Sequence, residues 1–167
     1  MERFGVRVYK QYFNFASAHF LIFADGTREE LHGHNYQVRV SVSGGLDAGD
    51  VVIDFMKLKP LVKKACDELD HRTILPLGHP LLAVKAGESE VEAVFAGRDR
   101  FVLPRRDVVL LQVHNTSTER LAEWIAQDVK RRVEDAVPGA ALTLLEVEVE
   151  ESGGQCGVYA VDLTSRP

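Results

Sequence analysis

The segment Leu31-His32-Gly33-His34-Asn35-Tyr36 sets two imidazoles two residues apart, with Glu29 just before them and His19 a loop upstream. In an extended chain, residues two apart share a face, so His32 and His34 project side by side, and Gly33 leaves the opposite side uncrowded. Two imidazoles presented this way need one more to hold Zn²⁺ through three protein ligands with the fourth position open, which describes a catalytic zinc rather than a structural one. His19, near the end of the apolar run FNFASAHF, is the obvious third ligand. H-x-H pairs without a metal are common, so the spacing alone leaves a chance pairing among six histidines open.

Three other positions carry chemical content. Asp70-His71 is an adjacent carboxylate and imidazole, the pairing that dresses a general acid/base, although the same pair also occurs in surface loops. In the run Leu145 to Glu151, Leu145, Val147 and Val149 alternate with Glu146, Glu148 and Glu150. Continuing that phase sets Glu151 on the apolar side, where it either frays into solvent or is held to bind something in a partly dry site. Cys66 lies on the apolar stripe of a helix and reads as a small core residue. His79, followed by Pro80, reads as a loop histidine.

The elements that must position these groups follow from periodicity. Residues 4 to 20 alternate and suit one long strand, which sets Phe13, Phe15, Ser17 and His19 on one face. Asp25-Gly26 marks a turn, and Leu31 to Val42 reads as a second strand with His32 and His34 in phase with Tyr36, Val38, Val40 and Val42. Asp54 is the N-cap of a helix reaching about Leu69. Pro60 within it implies a distorted first turn or a start nearer Lys59. Residues 76 to 107 form an excursion, a peripheral hairpin of Glu90 to Phe95 and Arg100 to Leu103 turning at Gly97-Arg98-Asp99. Val108 to Val113 returns to the core. Thr116 and Glu119 fit a capping box opening a second helix, ended by Pro138-Gly139. Strands Leu142 to Glu151 and Gly157 to Leu163 close the chain. This order predicts an α+β domain over residues 1–167, a four-stranded antiparallel sheet with two helices on one face. Its open edges favour association into a closed barrel.

Composition narrows the class. A chain of 167 residues with 46% hydrophobic content has ample material for one core. A net charge of −5 argues against a nucleic-acid partner held by phosphate contacts, and Lys63-Lys64 and Lys130-Arg131-Arg132 fall on helices facing solvent. Two cysteines make no disulfide framework, and no apolar run approaches a membrane span, so a cytoplasmic location is expected.

Taken together, FNFASAHF, LHGHNYQVRV, VVIDFMKLK, ELDHRTIL, TSTERLAEWI and LEVEVEES, in that order, resemble the 6-pyruvoyltetrahydropterin synthase and 6-carboxytetrahydropterin synthase family, of the tunnelling fold. The resemblance covers almost the whole chain except the excursion. It implies that His19, His32 and His34 ligate zinc, that Asp70 and His71 are the catalytic pair, and that Glu151 anchors the pterin while Ser117 and Thr118 contact it. It further implies a homo-oligomer, trimer or hexamer, with active sites at subunit interfaces. Usual members place a Cys a few residues before H-x-H as the base; this chain has none between Met1 and Ala65 and carries Arg28-Glu29-Glu30-Leu31 instead. That segment resembles the type III branch, in which a Glu replaces the cysteine, so Glu29 is the candidate base and Glu30 the second; the alternative is solvated loop charges and a lost base. The function implied is a zinc-dependent lyase acting on the side chain of 7,8-dihydroneopterin triphosphate, giving 6-hydroxymethyl-7,8-dihydropterin or a 6-pyruvoyl-type pterin. The alternatives are 6-carboxy-5,6,7,8-tetrahydropterin synthase activity in the deazaguanine pathway and a non-catalytic zinc- and pterin-binding protein.

Overall fold

The computed structural model describes residues 4–164. The elements in chain order are β1 (Phe4–Val8), β2 (Asn14–His19), β3 (His32–Gly44), α1 (Phe55–Leu69), β4 (Arg72–Pro76), β5 (Leu82–Ala86), β6 (Glu90–Phe95), β7 (Asp99–Pro104), β8 (Val108–Leu111), α2 (Thr118–Ala136), β9 (Leu142–Ser152) and β10 (Gln155–Asp162). The architecture is α+β, with both helices packed on one face of the main sheet.

The long first strand expected over residues 4 to 20 is broken. Val8 is buried at an even position, whereas Phe13 and Phe15 are buried at odd ones. A regular strand cannot send both parities to one face, so residues between them loop out while β1 and β2 each pair antiparallel with β3. Gln37 holds the loop by donating from Nε2 to the Lys10 and Phe13 carbonyls.

The expected four-stranded antiparallel sheet is larger and mixed. β10, β9, β3 and the β1/β2 pair supply its antiparallel part, and β4 and β8 extend it in parallel beyond β2, giving seven strands. Parallel strands inside a sheet are covered on both faces and lack a polar–apolar alternation. β4 shows this directly: Ile74 enters the main core and Leu75 a second core on the other side.

Residues 82 to 104 form a separate three-stranded antiparallel sheet, β5-β6-β7, rather than a two-stranded hairpin. Its turn falls at Ala96-Gly97, both with positive φ, one residue earlier than expected. Val91, Ala93 and Phe95 of this sheet pack with Phe20, Ile22, Leu75 and Val108 in the second core, so the excursion is joined to the end of β2.

The helices follow the sequence closely. Asp54 caps α1, its Oδ1 accepting the Met56 N–H at 2.7 Å, and the helix runs through Pro60 rather than starting beside it. Leu58, Val62, Ala65, Cys66 and Leu69 form its buried stripe. In α2, Asp128 is buried but paired with Arg131 and Arg132, and Arg132 also reaches Glu68 on α1, tying the helices together at their polar rim. The predicted capping box is not formed: Ser117, not Thr116, sits at the N-cap, and Thr116 is buried with other partners. Among the described residues no helix is long and apolar enough to cross a membrane.

The start of α2 is set by β10. A Cβ on Gly157 would lie 2.4 Å from the Glu119 backbone nitrogen, so the strand passes the helix end at a distance only glycine permits. Gly157→Ala is expected to cost about 1–3 kcal/mol, as overpacking against rigid backbone does. Urea denaturation checks this, and a loss under about 0.5 kcal/mol would show that the helix end yields freely.

Candidate metal centre and pterin-type site

The pairing of β2 with β3 assembles the centre. His19 lies directly opposite His32, and Ser17 opposite His34. The three imidazoles therefore converge on one face, the one that Tyr36 and Val38 continue into the core. Their nearest ring nitrogens lie within 4.8 Å of one another. Modest turns of the rings would bring them to the separation of about 3.3 Å that suits ligands about 2.05 Å from a tetrahedral ion.

Two hydrogen bonds fix which nitrogens face inward. His19 Nδ1 is 3.0 Å from the Thr116 carbonyl, and His32 Nδ1 is 2.7 Å from the Glu30 carbonyl. A carbonyl oxygen only accepts, so Nδ1 donates in both rings and Nε2 is the nitrogen turned to the centre, where the Tyr36 hydroxyl lies 2.9 Å from His19 Nε2. His19 is almost wholly buried; that burial, then the neighbouring His32, lowers its imidazole below the ordinary value and favours the neutral form a metal needs.

Carboxylates border the triad on two sides. Glu151 continues the inner face of β9 and is held in the strand rather than frayed: its Oε1 lies 3.4 Å from His34 Nε2, 3.5 Å from His19 Nε2 and 3.4 Å from the Tyr36 hydroxyl. Burial, followed by the charge of Glu151, pushes the Tyr36 hydroxyl well above its ordinary range, so it stays protonated and donates. On the other side, Glu29 Oε2 is 3.9 Å from His32 Nε2 and accepts the Leu21 N–H at 3.0 Å. Glu30 turns outward, its carboxylate almost fully exposed, while its carbonyl holds His32.

Asp70 and His71 stand together at the C-terminal end of α1. Asp70 Oδ1 accepts the Ala16 N–H at 2.8 Å, and Oδ2 lies 2.9 Å from His71 Nδ1. Burial works to raise the Asp70 carboxyl, but the Ala16 N–H and His71 outweigh it and hold it below its ordinary value. His71 adopts a positive φ of 56° and its side chain is 84% exposed. Among the described residues no hydrogen bond, ion pair or ring contact joins this pair to the three histidines. Ser117 is the N-cap of α2 and Thr118 its first residue, next in the chain to the Thr116 that orients His19.

Tyr36 and Thr116 both touch His19, and pattern reading gave neither a place at the site. Tyr36 is in plain phase with His32 and His34, so the two-residue period marks it. Thr116 carries no such mark: its hydroxyl donates to the Phe20 carbonyl, a contact 96 residues away in the chain. Cys66 is buried in the main core, where burial pushes its thiol up to about 12, and Cys156 is exposed on β10. Neither touches the triad.

Comparison with known proteins places this geometry. A Plasmodium vivax 6-pyruvoyl tetrahydropterin synthase structure superposes with a TM-score of 0.89 at 29% identity, covering 98% of this chain and all of that one. Another structure of the same P. vivax protein carries a glutamate-to-alanine change described as a catalytic residue mutant. A Methanocaldococcus jannaschii protein, provisionally named 6-carboxy-5,6,7,8-tetrahydropterin synthase, is 33% identical over 147 residues, 87% of this chain and 88% of that one. A shorter match, 48% identical over 46 residues, links 28% of this chain to 40% of a Pyrococcus furiosus dihydroneopterin monophosphate aldolase. The family model described as 6-pyruvoyl tetrahydropterin synthase matches residues 7–161, and with these relatives it shows that the chain belongs to that family.

Proposed function

We propose that the protein is a zinc-dependent lyase that cleaves the side chain of 7,8-dihydroneopterin triphosphate to 6-hydroxymethyl-7,8-dihydropterin, with Glu29 as base. The observation that carries this is Glu29 Oε2 standing beside His32, at the rim of three imidazoles whose ring nitrogens converge. The donor set fits the metal: three imidazoles whose nitrogens converge, two of the rings oriented by backbone carbonyls. A zinc ion held by His19, His32 and His34 supplies Lewis-acid polarisation to the substrate's side-chain oxygens.

The chain's own groups account for the rest. Glu151 accepts from the amino and ring N–H groups of the pterin, a role suited to a carboxylate held on an inner face beside a donating tyrosine. Ser117 and Thr118, at the N-terminus of α2, contact the same ring system. Glu29 takes the proton from the hydroxyl on the second side-chain carbon. As that oxygen becomes a carbonyl, the bond between the first and second carbons breaks. Its electron pair passes to the first carbon, conjugated with the pterin ring, and a proton added there leaves the hydroxymethyl group. Asp70 and His71 return that proton, Asp70 holding the imidazole by its Nδ1. The catalytic glutamate of the P. vivax relative and the aldolase name of the P. furiosus relative support this reading.

A second reading is 6-carboxy-5,6,7,8-tetrahydropterin synthase activity, favoured by the name of the M. jannaschii relative. Against it, the sequence lacks a cysteine near H-x-H, and neither of its two cysteines stands at the triad. Incubating the zinc-loaded protein with 7,8-dihydroneopterin triphosphate and weighing the product decides between them. The expected product is 6-hydroxymethyl-7,8-dihydropterin, lost on chelation and restored by zinc. A 6-carboxy product would establish the second reading, and saturable pterin binding without turnover would make the protein a binder.

For Glu29→Ala, turnover is expected to fall roughly 10²- to 10⁴-fold, the usual contribution of a positioned base, with zinc content unchanged. Full turnover in that variant, zinc still bound, would remove Glu29 from the role. The site is further proposed to be completed between copies, as the family resemblance implies, the main sheet leaving β10 and β8 as its end strands. Light scattering is therefore expected to give three or six times the 18.6 kDa chain mass, and a monomer with full activity would contradict it.

A further inference from the structure

Arg28 joins the second core and the small sheet to the segment that carries Glu29. Its guanidinium lies 5.0 Å from the centroid of Phe101, 5.6 Å from Phe20 and 5.8 Å from Phe95. Phe20 and Phe101 are themselves stacked 5.3 Å apart. Nε and Nη2 both reach Asp99 Oδ2, at 2.9 and 2.8 Å, and Nη1 donates to the Glu29 carbonyl at 2.8 Å. With only 15% of its side chain exposed, Arg28 is a charge held in an aromatic cage, bonded to Asp99 and the Glu29 carbonyl and 3.9 Å from the exposed Glu30 carboxylate.

Three of those partners, Phe95, Asp99 and Phe101, belong to β6 and β7 of the inserted sheet, and Glu29 is the residue beside His32. Glu29 is also held by Leu21, whose carbonyl accepts the Glu29 N–H at 2.9 Å and whose N–H reaches the Glu29 carboxylate, and that carboxylate faces His32 Nε2 at 3.9 Å. We propose that Arg28 is a positioning residue through which the inserted sheet sets the backbone, and hence the carboxylate, of Glu29. This rests on the reading of Glu29 as base. The insertion thereby acts on the site: the loop carrying the base is closed by its own pairing of Ile22 with Arg28, and the aromatic cage of the inserted sheet is the outer wall against which that pairing rests.

The test compares Arg28→Ala and the milder Asp99→Asn with the unaltered zinc-loaded protein, each alone and combined with Glu29→Ala. Expected for Arg28→Ala is a fall in kcat of roughly tenfold to a hundredfold, the scale of a base displaced by about an ångström, with KM and zinc content unchanged. Asp99→Asn is expected to move kcat the same way by less, which keeps the test open if Arg28→Ala folds poorly. Hydrogen exchange at the Leu21 amide, whose acceptor is the Glu29 carboxylate, is expected to quicken in both variants. In the Glu29→Ala background neither change is expected to lower the residual turnover further. Unaltered kcat in both variants, an undiminished loss in that background, or a loss without faster exchange at Leu21 would overturn the role given to Arg28. Full turnover in Glu29→Ala alone would instead overturn the base assignment beneath it.

Discussion

The antiparallel register that sets His19 opposite His32 is the constraint on which the rest of the site depends. A slip of one residue would turn every side chain of β2 to the other face and leave His32 and His34 without a third imidazole beside them. Packing and hydrogen bonds both hold it. Phe15 stacks on Tyr36 with ring centroids 4.7 Å apart, farther along the same pair of strands as the paired histidines. The Val38 N–H donates to the Phe13 carbonyl at 2.7 Å, and Gln37 clamps the loop that absorbs the change of parity between β1 and β2. The core that fixes the register therefore also fixes the ligand geometry, and ligands two residues apart need no special loop to present them.

Around that pair, polar groups are buried only where they satisfy one another. Thr116 reaches both Phe20 and His19, Tyr36 lies between His19 and Glu151, and among the described residues no buried side-chain nitrogen or oxygen lacks a partner. Leaving one of these groups unpaired would cost about 1–3 kcal/mol, so the network is fixed as tightly as the apolar core beside it. Burial acts differently on the two kinds of group present. It keeps His19 neutral and ready to ligate, whereas it keeps Cys66, buried among apolar side chains, a protonated thiol with no chemistry to offer.

How much of this the sequence disclosed follows from which faces are covered. The histidine triad, Tyr36 and Glu151 lie on strands with one apolar and one polar face, so a two-residue period exposes them. The break between β1 and β2 is equally legible, since buried Val8 and buried Phe13 differ in parity, and a single strand over residues 4 to 20 overlooks that. β4 carries no such signal, because Ile74 and Leu75 are buried on opposite faces and the segment reads only as a short apolar run. Thr116 misleads for another reason: its neighbours spell a capping box, yet a distant backbone carbonyl claims its hydroxyl. Local chemistry predicts local bonds, and tertiary contacts override it where burial is complete.

The two cores divide the labour of the site. The main core holds β3 and β9, and through them His32, His34, Tyr36 and Glu151; the second core holds Phe20 and Ile22, the root of the loop that carries Glu29. β2 crosses from one to the other, with Phe15 in the first, Phe20 just past its end in the second, and His19 between them. Asn115 fastens the same seam, bonding the Ile22 backbone on both sides at 3.2 and 2.8 Å, one residue before the Thr116 that orients His19. Ligands and candidate base thus rest on separate packed bodies that share one strand. On the role proposed for Arg28, substitutions in the inserted sheet would reach the candidate base without disturbing the register that sets His19 opposite His32.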